Sequence, residues 1–258
     1  MNLAATDPDT PRLPLGVGRI LRETVTIVWT WKGSILALGL PPILALNLAR
    51  YALVPEEYTG APTEETMAYY TLATVAFLII FPVSSIVDGL VTTLAYAAGT
   101  KGTVSVGDCI RSTVPVLLPL IICDSAVSLG YIVGLIALVV PGLYLLSIWI
   151  VLVPCIVLED AGYRGFERSA RLTKGYRWPC LAVAAVFVSS ELLASLLLQF
   201  PLERFTESGI PTDTAIYLAS DAVFSLLFLA LFAVASTLTY LRLRDIKEGT
   251  VWLADVFD

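Results

Sequence analysis

Histidine is absent from all 258 residues, methionine occurs twice, and only 15% of the chain is charged. Without imidazole there is no His general base, no HExxH zinc site, and no His ligand for haem or chlorophyll. The four cysteines, Cys109, Cys123, Cys155 and Cys180, lack CxxC spacing and read as reduced apolar fillers, so neither a metal nor a cofactor is expected. No cleavable signal peptide is expected either. Met1 to Thr10 carries Asp7 and Asp9, no basic residue and no apolar stretch, so the first spanning helix is expected to serve as its own insertion signal.

What the chain has instead is apolar residues in long runs. They make up 57% of it, with a mean hydropathy of +0.82, and uncharged stretches cover 33–49, 66–87, 125–158 and 222–241. A helix needs about 20 mainly apolar residues to cross a hydrocarbon core of roughly 30 Å, so such runs belong in lipid. The predicted architecture is all-α and polytopic, a single transmembrane domain over 15–248 with six spans at about 34–53, 69–98, 114–140, 143–158, 178–200 and 215–241. A disordered polar tail (1–14) precedes it and a cytoplasmic tail (249–258) follows. Pro41-Pro42 is expected to kink the first span. Pro141-Gly142 is the expected break in the long apolar stretch that ends at Leu158.

Charge tests this layout independently. Every basic residue except Arg50 and Arg204 falls in the N-terminal segment, the second-to-third and fourth-to-fifth connections, or the C-terminal tail. The opposite loops hold Glu56, Glu57, Glu64, Glu65, Glu203, Glu207 and Asp213. Lys and Arg collect in cytoplasmic segments, so both termini are expected in the cytoplasm, in a multi-pass protein of the bacterial inner (plasma) membrane.

Leu15 to Trp31 reads as an amphipathic interfacial helix, with Val17, Ile20, Leu21, Val25 and Val28 opposed by Arg19, Arg22 and Glu23. Its core recurs: Val17-Gly18, Arg22 and Thr24-Val25 match Val106-Gly107, Arg111 and Thr113-Val114. Gly165 to Arg171 is a degenerate third copy. The implied unit is an interfacial helix plus a transmembrane hairpin, repeated three times in parallel, as in some transporters but also in enlarged membrane folds of other kinds.

Four acids fall inside predicted spans: Asp88, Asp124, Glu191 and Asp221. Charge at that depth costs at least about 2.5 kcal/mol on insertion scales, which makes a polar path for a proton or cation one reading. The other is structural: Asp221 steadies the start of its helix, and the rest are neutral or paired with Ser84, Ser85, Ser189 and Ser190. Arg164, Arg168 and Arg171, spaced by four and three, share a helix face, with Lys174 and Arg177 close behind. They are candidates for holding an anionic lipid headgroup, or else an ordinary positive-inside anchor. Glycine 175 is placed to end that helix. Gly130 and Gly134 form a GxxxG step suited to helix packing.

The chain resembles the membrane domain family named after glycerophosphoryl diester phosphodiesterases, together with related bacterial inner-membrane proteins. The resemblance rests on Pro141-Gly142-Leu143-Tyr144-Leu145, on Val153-Pro154 through Leu158-Glu159-Asp160, on Glu167 to Gly175 with Arg177-Trp178, and on Tyr240 to Arg244 with Lys247-Glu248-Gly249. It implies a six-helix membrane module, sometimes joined to a soluble phosphodiesterase barrel. The short tail after Leu241 leaves no room for that barrel, so its activity is not carried over. The expected function is a non-enzymatic membrane module, namely a scaffold, regulator or complex subunit in contact with anionic lipids. Its partners would be other membrane proteins or copies of itself, and no nucleic acid. A transporter or lipid translocase is the alternative. A membrane-embedded enzyme ranks third, because no nucleophile with a partner base is evident.

Overall fold

A computed structural model describes residues 15–53, 64–102, 105–137, 139–196 and 214–249. The expected tails and both acidic loops, around 55–63 and 201–213, lie outside the described residues. The described chain forms α1 (Val17–Thr30), α2 (Lys32–Leu53), α3 (Glu64–Lys101), α4 (Val106–Thr113), α5 (Leu117–Ala137), α6 (Val139–Trp149), α7 (Leu152–Glu159), α8 (Gly165–Thr173), α9 (Arg177–Ala194) and α10 (Thr214–Glu248). Among the described residues there is no strand, and six helical stretches are long and apolar enough to cross a membrane. Four of these are α2, the inner part of α3, α9 and the later part of α10, and two are composite. α4 runs through one 3-10 turn, Val114–Val116, into α5, with Thr113, Val114 and Leu117 all in right-handed helical geometry. α6 and α7 together make the other.

Burial alternates along the chain. About half of each of the second, fourth and sixth spans is buried (50, 56 and 56%), against 28, 17 and 22% of the first, third and fifth. Three inner helices, α3, α6–α7 and α10, are thus flanked by three outer ones, α2, α5 and α9. Each short helix packs on the inner helix of the preceding unit: α4 on α3, α8 on α6 and α7, and α1 on α10, which closes the ring. α1 and α8 are also tied to the C-terminal end of α10, by Arg242 to Glu23 at 2.9 Å and by Lys247 Nζ donating to the carbonyls of Arg171 and Lys174.

The repeat is legible in atomic detail. Thr24 and Thr113 are buried and donate to the carbonyls four residues back, those of Ile20 and Cys109, while Arg22 and Arg111 two residues earlier are exposed. Thr173 does the same toward Ser169, with Arg171 exposed. The expected third copy, Gly165 to Arg171, therefore shifts: its equivalences run through Arg171 and Thr173, in the pattern Arg-x-Thr. Hydroxyl geometry outlasts overall sequence likeness here because a buried Thr must find an acceptor, and its own helix supplies one.

Several expectations are corrected. Val25 of α1 is exposed and Glu23 turns inward to Arg242, because the helix rests its Ile20, Thr24 and Ile27 side on α10. α6 starts at Val139, so Pro141-Gly142 sits in its first turn, where a missing N–H costs little. The fourth span is itself interrupted, at Ile150-Val151. Pro154 has no N–H to offer the carbonyl of Ile150 four residues back, and Ser236 Oγ of α10 donates to that carbonyl at 2.7 Å. Ser169 Oγ of α8 donates to the carbonyl of Ile148 at 2.8 Å. In a bilayer such protein donors replace the water that a broken helix would otherwise need.

Candidate functional site

Of the four acids within spans, the structure brings two together and places the other two apart from them. Asp221 lies two turns into α10, and its Oδ2 accepts from the Asn47 amide of α2 at 2.9 Å, a bond across a helix interface. Glu191 is exposed on α9, with Tyr131 of α5 as an electrostatic neighbour. Ser189 and Ser190 donate to their own helix, at Ala185 and Phe187, and not to Glu191.

Asp88 and Asp124 do come together, between α3 and α5, close enough to interact electrostatically. Ser85, one turn before Asp88 on the same face of α3, places its Oγ 2.6 Å from Asp124 Oδ2 and 2.8 Å from the carbonyl of Phe81. Asp88 Oδ1 is wholly buried and has no hydrogen-bond partner among the described residues, and the same is true of Thr92 Oγ1 and Ser125 Oγ. Ser85, Asp88 and Thr92 fall on one stripe of α3 by helical spacing. The residues of this site were legible in the sequence as acids within spans. Their pairing was not, since it depends on how α3 and α5 rotate against each other.

A second polar cluster lies where α7, α8 and α10 meet. Arg168 Nε and Nη2 donate to the two carboxylate oxygens of Glu159 at 2.6 and 2.7 Å, and its Nη1 pairs with Glu248 at 2.6 Å. Tyr240 donates to Glu159 as well, and Arg244 Nη1 donates to the Tyr240 hydroxyl. Bonds to Glu159 and then Glu248 push the Arg168 guanidinium above its usual range, so it stays charged. Arg168 is thus turned inward and occupied, unlike its stripe partners Arg164 and Arg171, which are exposed. Arg177 also leaves the stripe: it donates to the Tyr144 hydroxyl at 2.6 Å, with its guanidinium 5.0 Å from the centre of that ring. Lys174 is exposed, and glycine 175 after it takes a φ of 89° as the helix ends.

Of the two glycines expected at a packing step, Gly134 faces Gly142 so closely that a Cβ on it would lie 2.9 Å from the Gly142 Cα. Gly130 faces open space. The four cysteines are buried and unbridged.

Fold and polar clusters together define an all-α, multi-pass membrane protein. No family model matches the chain, and comparison with curated proteins and with solved structures finds no match.

Proposed function

We propose that this protein is a non-enzymatic module of the plasma membrane, the inner membrane in a bacterium, which acts as a scaffold or complex subunit and grips anionic lipid at its cytoplasmic end. One observation carries the reading: the three equivalent arginines Arg22, Arg111 and Arg171, one per repeat, are all exposed at the end of the bundle that gathers α1, α4 and α8. Around them stand exposed Trp29, Tyr163 and Trp178, with Lys32 Nζ 4.2 Å from the Trp29 ring. Aromatic rings with a polar edge and basic side chains together suit the headgroup layer, and guanidinium forks pair with phosphate in a bidentate way. The positive-inside charge distribution supports a cytoplasmic position for this end and for both termini. The motif likeness to the phosphodiesterase-associated membrane domains supports the same class of role.

Arg22→Gln, Arg111→Gln and Arg171→Gln combined should remove about 3 kcal/mol of attraction to an anionic surface, at roughly 1 kcal/mol per basic residue. Native mass spectrometry of the purified proteins should then find far less phosphatidylglycerol retained by the variant than by wild type. Equal retention would remove the lipid reading. A second reading, movement of a solute through the bundle, is favoured by the unsaturated Asp88–Asp124 pair. Solute flux into liposomes that stops on replacing that pair would favour it.

A further inference from the structure

We infer that Asp88 and Asp124 form a proton-binding site inside the bundle, holding one exchangeable proton between them. The first argument is a count of hydrogens. A serine hydroxyl has one hydrogen to donate. Ser85 Oγ nevertheless sits within hydrogen-bond distance of two oxygens, the Phe81 carbonyl at 2.8 Å and Asp124 Oδ2 at 2.6 Å. Its hydrogen goes to Asp124, the Phe81 carbonyl being served by the amide of its own helix, so Ser85 has none left for Asp88. One proton on the pair supplies the donor that is missing.

The second argument comes from Asp88, one turn further along α3. Its Oδ1 is sealed from solvent and has no donor among the described residues, and the neighbouring Thr92 Oγ1 and Ser125 Oγ are likewise unpartnered among them. Two like charges this close, in a medium of low dielectric, cannot both persist without a cation, whereas a shared proton lowers the charge of the pair to one. Among the described residues, the titratable groups on the elements packed against the pair are Lys32 of α2; Asp108, Cys109 and Arg111 of α4; Cys123 and Tyr131 of α5; Tyr144 of α6; Cys155 and Glu159 of α7; Tyr163 and Arg164 of the turn Gly162–Arg164; and Tyr96 of α3 itself. On α10 they are Asp221, Tyr240, Arg242, Arg244, Asp245, Lys247 and Glu248. Glu159 is bonded to Arg168 and Tyr240, Arg242 to Glu23, and Asp221 to Asn47. The charged neighbour acting on Asp88 is Asp124. The site is separate from the basic lipid collar, and it would serve a module that senses pH as well as one that couples protons to transport.

A hydrophobic carbodiimide tests this on the full-length protein in liposomes. The reagent attacks only a protonated carboxyl: the acid's proton passes to the carbodiimide nitrogen and its oxygen bonds to the central carbon. The adduct therefore keeps the whole reagent and is mapped by peptide mass spectrometry. The expected result is an adduct on Asp124 or Asp88, falling about tenfold per pH unit above a midpoint. Asp88→Asn, which removes the neighbouring charge, should move that midpoint on Asp124 to lower pH, and Asp88→Ser serves if the Asn variant fails to elute as a folded species. Three results would each overturn the inference: no adduct on either acid while acid-unfolded protein reacts, a midpoint unmoved in the folded variant, or protection by sodium against choline at constant pH, which would make the site one for a metal cation.

Discussion

Glu159 and Asp88 are both acids set among packed helices, and they have opposite surroundings. Glu159 accepts three hydrogen bonds, two from the fork of Arg168 and one from Tyr240, and the third arm of that arginine is taken by Glu248. Asp88 has a second acid for a neighbour and a sealed oxygen with no donor among the described residues. A saturated cluster fixes geometry, here the joining of α7, α8 and α10, and has no capacity left for a ligand. An unsaturated one is costly to keep and is where chemistry is to be sought. Asp221 lies between these extremes, with a neutral amide from Asn47 as donor.

The largest effect should come from breaking the saturated cluster. Arg168→Ala removes the cation that bridges Glu159 and Glu248, and should cost about 3 kcal/mol. Intrinsic tryptophan fluorescence during detergent unfolding measures this, and a loss below about 1 kcal/mol would show that the cluster does not hold the three helices together. Next, Asn47→Asp turns the Asp221 site into a second pair of acids. It should cost about 2 kcal/mol at neutral pH and create a new carbodiimide adduct at 47 or 221. An unlabelled variant of wild-type stability would end the analogy between the two sites. Smallest is Asp88→Asn, in which an amide supplies the donor that the pair lacks. Its stability should stay within about 1 kcal/mol of wild type or rise above it, and a large loss would mean that the pair is structural after all.

Some of this was legible before any coordinates. The spans announce themselves through long uncharged runs, and the first two repeats through Gly-x-x-x-Arg-x-Thr-Val, because hydrophobic length and buried hydroxyls are local requirements. The interruption of the fourth span was less accessible, although Pro154 signals it: the residue that loses a partner is Ile150, and the residue that restores one, Ser236, is on a distant helix. The arginine stripe misled for a related reason. Arg164, Arg168 and Arg171 share a face by spacing, but a helix resting on two others buries part of that face, and Arg168 lies on the part that meets Glu159 and Glu248.

The sequence by itself determined that this chain belongs in lipid, how many times its apolar runs can cross, and which end of the bundle carries the basic residues. Each of these follows from transfer free energies that sum residue by residue along the chain. Which spans are inner and which outer, which of three arginines turns inward, and which two of four acids meet were decided by tertiary structure alone. Those outcomes depend on the rotation of each helix about its own axis, and that is set by side chains on its neighbours, across distances that a linear pattern does not encode.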